Sequence, residues 1–231
     1  MAEPSQLVLD LGHRAALGAE DFLVGTSNAA AVALVDRWPD WAHWAAVVQG
    51  PAGSGKTHLA SVWRARSGAD AIAASELSAT APARLAAARA LVVEDVDRAL
   101  ADERLLFHLL NIAREQRLSI LVTSRADPGD IPIGLPDLRS RLRALPLARI
   151  EPPDDTLLKG VLIKLFADRQ LEIEPHVVEH LARHMERSMA MAGRVVAAAD
   201  RLALAMQRRV TRAVAAQALA AAGSGETGEP V

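Results

Sequence analysis

The stretch Gly50-Pro51-Ala52-Gly53-Ser54-Gly55-Lys56-Thr57 constrains this chain more than any other. It follows a short apolar run, residues 45–49, and opens a segment with helical spacing of Leu59, Val62 and Trp63. A glycine-rich turn between a strand and a helix is a phosphate cradle. Glycines let backbone N–H groups turn inward and approach an anion with no Cβ in the way. The helix that follows adds its own unpaired N–H groups and the positive end of its dipole. Lys56 then supplies a point charge to the β- and γ-phosphates, and the Thr57 hydroxyl can hold Mg2+. His58 follows directly and is grouped with the nucleotide-binding residues; with no second ligand beside it, it reads as neither metal ligand nor base.

The segments around the cradle alternate. Residues 45–49, 69–74, 90–93, 119–123 and 145–150 read as strands, and helical segments fall between them, the clearest over 101–117 with Leu105, Leu106, Leu109, Leu110 and Ala113 on one face. Strand-helix alternation implies a parallel sheet covered on both faces. After Glu151-Pro152-Pro153-Asp154 only helices follow, over 155–169, 175–186, 190–208 and 211–222. The expected organisation is an irregular arm at 1–21, an α/β subdomain at 22–150, an all-α subdomain at 151–222 and a disordered tail at 223–231. Trp38, Trp41 and Trp44 cluster ahead of the first strand and read as packing residues.

Composition sets outer limits. With 231 residues the chain can bury a core without staples, and the absence of cysteine excludes disulfides and Cys-based metal sites. A net charge of -2 gives no overall bias toward nucleic acid, and 3% aromatic content leaves few surfaces on which bases could stack. No apolar run approaches the roughly 18 residues of a membrane span, and no leader pattern stands at the N-terminus. A cytoplasmic location without membrane contact is the expectation.

Residues 91–95, Leu-Val-Val-Glu-Asp, form an apolar strand ending in two carboxylates. An acid at the tip of a strand beside the cradle can organise Mg2+ and a water, so Glu94 and Asp95 join Thr57 as candidate metal-site residues; a solvated helix cap is the alternative.

With these segments on the page, the chain resembles the AAA+ module of the DnaA replication-initiator family, and more closely its shortened Hda/HdaA branch. The segments that carry the resemblance are residues 22–28 (Phe-Leu-Val-Gly-Thr-Ser-Asn), 120–125 (Ile-Leu-Val-Thr-Ser-Arg), 138–142 (Leu-Arg-Ser-Arg-Leu) and 150–153 (Ile-Glu-Pro-Pro). The resemblance implies an AAA+ P-loop fold with a central five-stranded parallel sheet and a helical lid. It implies a site for ADP or ATP with Mg2+, in which Phe22 and Val24 contribute to the adenine pocket. It places Ser124 at the γ-phosphate sensor and Arg141 at the arginine finger that acts on a neighbouring subunit. In the family the acidic pair runs Asp-Glu or Asp-Asp, whereas here Glu stands first, so own-site hydrolysis is expected to be weak. Met191 occupies the second sensor position, and Arg194, one helical turn on, is the candidate substitute.

Residues 6–11, Gln-Leu-Val-Leu-Asp-Leu, resemble the sliding-clamp-binding sequence of Hda proteins, with Gln6, Leu7, Leu9 and Leu11 as the contact residues. Their alternation fits an edge strand equally well. A helix-turn-helix domain and sequence-specific DNA binding are not expected, and a homodimer is left open. The implied function is negative regulation of replication initiation: docking on the DNA-loaded clamp and stimulating ATP hydrolysis by DnaA through Arg141. An autonomous AAA+ ATPase, such as a helicase loader or remodeller, is the alternative.

Overall fold

The computed structural model describes residues 22–78 and 89–223. The hexapeptide at 6–11 and the tail beyond residue 223 lie outside them. The described chain forms two compact units: one spans residues 26–152 together with Phe22, the other residues 153–223 together with 23–25.

The first unit is a sheet of five parallel strands flanked by helices. Strands β1 (Ala45–Gln49), β2 (Asp70–Ala73), β3 (Ala90–Glu94), β4 (Ser119–Ser124) and β5 (Leu147–Arg149) lie in the order β2-β3-β4-β1-β5. The three central strands bury nearly every residue, as a sheet covered on both faces must. Val47, Leu91, Val93, Ile120 and Val122 pack on Leu105, Leu106 and Leu109 of a long helix, Glu103–Gln116. That helix starts where the Asp102 carboxylate accepts a hydrogen bond from the Leu105 N–H at 2.9 Å, an N-cap that satisfies one of its orphan donors. The other helices of this unit are α1 (Ala29–Asp36), α2 (Lys56–Ser67) and α4 (Pro136–Arg143), with the long helix as α3.

The tryptophans pack, as their position ahead of β1 implied. The ring of Trp63 is fully buried; Trp41 stacks on it at 5.3 Å, and Trp38 meets it edge-on at 6.0 Å. The indole N–H groups of Trp38 and Trp41 donate to Ser119 Oγ and to the Leu34 carbonyl.

The second unit is all helix: α5 (Asp155–Asp168), α6 (Pro175–His184), α7 (Met189–Met206) and α8 (Arg212–Gly223). Leu158, Leu162, Phe166, Leu181, Val195 and Ala199 form its core. Asp154 and Ser188 cap α5 and α7, and prolines open α4 and α6, where a missing N–H costs nothing. The segment at 23–25 lies tight against α5: a Cβ on Gly25 would stand 3.1 Å from Leu157 Cβ.

Candidate functional site

The cradle leaves the end of β1 and runs into α2. Its geometry explains its composition. Gly53 and Gly55 take φ values of 68° and 102°, where a side chain would be strained. At Gly50 the limit is space: an added Cβ would meet the Ile150 carbonyl oxygen at 2.6 Å and Ser54 Oγ at 2.8 Å. The Gly50 N–H donates to the Ser124 carbonyl at 3.1 Å, which ties the first residue of the cradle to the end of β4. Gly50→Ala should therefore cost roughly 1–3 kcal/mol through overpacking, read as a lower midpoint in urea, and should weaken nucleotide binding with it. A variant with wild-type stability and affinity would refute this.

Lys56 is only 6% exposed. Its ammonium donates to the Gly50 and Pro51 carbonyls at 2.7 and 2.9 Å. Burial lowers its proton affinity, Asp95 and Asp97 oppose that shift, and Arg125 adds to it. Ser54 Oγ is buried against Gly50 without a hydrogen-bond partner, an unsatisfied polar atom within the turn. Thr57 is exposed at the first turn of α2, and Phe22 closes the flank, its ring meeting His58 edge-on at 5.1 Å. The cradle's fit to a nucleotide's phosphates rests on these groups, with Thr57 and the neighbouring acid as the residues that would hold Mg2+.

The two carboxylates at the tip of β3 stand in different surroundings. Glu94 is raised above the usual carboxylate range by burial and by Asp95, with Arg64 opposing. Asp95, not Glu94, is the acid whose charge reaches Lys56. Asp95 sits at φ 54°, a left-handed conformation for a residue with a side chain. Two hydrogen bonds hold it: its N–H donates to Thr123 Oγ1 at 3.1 Å, and the Val96 N–H donates to the Thr123 carbonyl at 3.1 Å. Thr123 thus fixes the acid from the neighbouring strand. In sequence it is one more residue of an apolar run, and only the pairing of β3 with β4 exposes its role.

Ser124 pairs with Gln49 across β4 and β1, so it lies beside the cradle. Its hydroxyl is fully buried and donates to the Ala126 carbonyl at 2.7 Å. Val24 and Arg194 belong to the helical unit, where an Arg194 guanidinium N–H approaches Met191 Sδ at 3.7 Å.

Arg141 lies at the opposite end of the sheet from the cradle. Its guanidinium sits 5.1 Å from the Phe107 ring centroid, at a groove of about 550 Å³ that His43, Trp44, Leu110 and Leu145 help to line. Residues 43–45 lead into β1 and 144–145 into β5, whereas the cradle leaves the far end of β1. The neighbouring Arg143 donates to the Gly129 carbonyl at 2.7 Å and so serves its own fold.

A five-stranded parallel sheet in this order, with a glycine-rich turn after β1 and an acid at the tip of β3, and a separate all-helical unit later in the chain, make up the AAA+ fold. Solved structures share that fold. Domain III of the replication initiation protein DnaA from Thermotoga maritima superposes with a TM-score of 0.76 at 19% identity, covering 87% of this chain and 94% of that one. DnaA bound to AMPPCP and single-stranded DNA gives 0.68 at 19% identity, covering 80% of this chain and 63% of that one. The RuvB Holliday junction branch migration motor of Thermotoga maritima gives 0.62 at 18% identity, covering 76% of this chain and 61% of that one. The chain thus spans less than two thirds of the latter two proteins. No protein-family model matches the sequence, and no curated protein matches it. Among the described residues no helix is long and apolar enough to cross a membrane.

Proposed function

We propose that this chain is a nucleotide-bound regulator of replication initiation that stimulates ATP hydrolysis by DnaA. ADP or ATP occupies the cradle at residues 50–57 with Mg2+ held by Thr57 and Asp95. The arm docks on the DNA-loaded sliding clamp through Gln6, Leu7, Leu9 and Leu11. Arg141 is then offered in trans to the nucleotide of DnaA, where a guanidinium stabilises charge developing on the transferred phosphoryl group.

The observation that carries this reading is the place of Arg141. It stands at the strand end away from its own cradle, half-buried against Phe107, at the edge of a groove. An arginine so placed is remote from its own cradle, which supports a role on the nucleotide of a neighbouring molecule. The Hda-like hexapeptide and the likeness to DnaA domain III support the choice of partners.

The test is reconstitution. ATP-loaded DnaA, clamp on DNA and this chain should together release phosphate faster than any pair of them. Gln6→Ala should lower retention on immobilised clamp while leaving nucleotide affinity unchanged. Hydrolysis by DnaA that is indifferent to this chain would sink the proposal. A second reading, an autonomous AAA+ ATPase, draws on Asp95, which Thr123 holds where its charge reaches Lys56. Brisk turnover by the chain alone, unaffected by clamp, would favour it.

A further inference from the structure

Arg125, the residue after Ser124, stands beside the cradle with a fixed backbone and an exposed side chain. Its N–H donates to Asp97 Oδ1 at 3.0 Å, and its carbonyl accepts from Gln49 Nε2 at 2.7 Å. The next amide, Ala126, donates to the other Asp97 oxygen at 3.3 Å. Gln49 is the residue before Gly50, and Gly50 itself donates to the Ser124 carbonyl. The loop that starts at Arg125 is therefore bonded directly to the start of the cradle.

The guanidinium makes no hydrogen bond or ion pair among the described residues. Both oxygens of Asp97, the acid bonded to this loop, already accept from backbone amides. The charge of Arg125 nonetheless reaches Lys56 and opposes its ammonium. Two like charges near one another repel, and a polyanion bound at the turn would relieve that repulsion. A guanidinium fork can recognise a phosphate bidentately, and here it would do so from a backbone already held by its own hydrogen bonds.

We propose that Arg125 is a second phosphate cation of the cradle, contacting in cis the terminal phosphate of a bound nucleoside triphosphate and making the site discriminate triphosphate from diphosphate. Lys56, seated deeper against the Gly50 and Pro51 carbonyls, serves the phosphates that both nucleotides share. This role rests on the nucleotide-binding reading of the cradle and adds to it the residue that distinguishes its ligands. Ser124, whose hydroxyl is engaged by the Ala126 carbonyl, leaves that task to its neighbour.

The experiment titrates the full chain with fluorescent ADP and with a fluorescent, non-hydrolysable ATP analogue, in wild type, Arg125→Ala and Arg125→Lys. Loss of a charge-assisted phosphate contact should weaken triphosphate binding by about ten- to a hundredfold in Arg125→Ala. ADP affinity should change by less than about twofold, since no contact to the shared phosphates is removed. Arg125→Lys should recover part of the triphosphate affinity, because it keeps the charge and loses the fork. Equal losses for both nucleotides, or no loss for either, would overturn the assignment; the first would mark Arg125 as a support of the loop. A wild-type chain that binds neither nucleotide would overturn the nucleotide reading together with this one.

Discussion

Lys56→Ala is expected to weaken the binding of both ATP and ADP by at least about a hundredfold. The ammonium is buried at the inner end of the cradle and already makes two hydrogen bonds to the carbonyls of the turn. A hydrogen bond to a charged group contributes about 1.5–3 kcal/mol, so two such contacts to phosphates amount to two to four orders of magnitude in affinity. The buried ammonium also carries the cost of its own desolvation, which Asp95 and Asp97 only partly offset, so a bound polyanion is a strong attractor there. Calorimetric titration with either nucleotide reads the effect, and a thermal melt of the variant separates it from unfolding. Affinity within threefold of wild type would show that the loop amides alone hold the ligand.

The second large effect falls on another protein. Arg141→Ala should reduce the stimulated ATP hydrolysis of DnaA by about 10³-fold or more, the range in which a finger supplied in trans acts. Nucleotide binding by the variant itself should not change, because Arg141 lies at the far end of the sheet from residues 50–57. Single-turnover phosphate release from preloaded DnaA, with clamp on DNA present, measures it. Arg143→Ala is the paired control: that guanidinium is held by the Gly129 carbonyl, so its loss should leave stimulation in place. Equal activity of Arg141→Ala and wild type would remove Arg141 from this role.

Much of the α/β unit is legible in the sequence itself. Residues 45–48, 90–93 and 120–122 are uninterrupted apolar runs because both faces of a parallel sheet are covered, and each lies in a central strand. The edge strands were less distinct. The expected run at 145–150 shortens to Leu147–Arg149, and the one at 69–74 to Asp70–Ala73, since an edge strand is paired on one side only. Helix ends followed local chemistry: Asp102, Asp154 and Ser188 cap their helices with their own side chains.

The site divides in the same way. Gly50, Gly53, Gly55 and Lys56 were legible because a phosphate cradle is a local structure, and its demands on φ, on space and on charge are met within eight consecutive residues. Three features were set by tertiary pairing and packing instead. The pairing of β3 with β4 set Thr123 beside Asp95, so that of the two adjacent carboxylate residues this one has its backbone held from the next strand. The pairing of β4 with β1 brought Arg125 beside the cradle. The packing of α4 on α3 laid Arg141 over Phe107, away from its own nucleotide site. Sequence alone determined that this chain has a phosphate cradle and a parallel sheet to carry it, because both are written in neighbouring residues. That Thr123 holds Asp95 and that the Arg125 loop is tied to Gln49 depends on residues 28 and 76 positions apart being held within hydrogen-bonding reach, and only the tertiary structure supplies that.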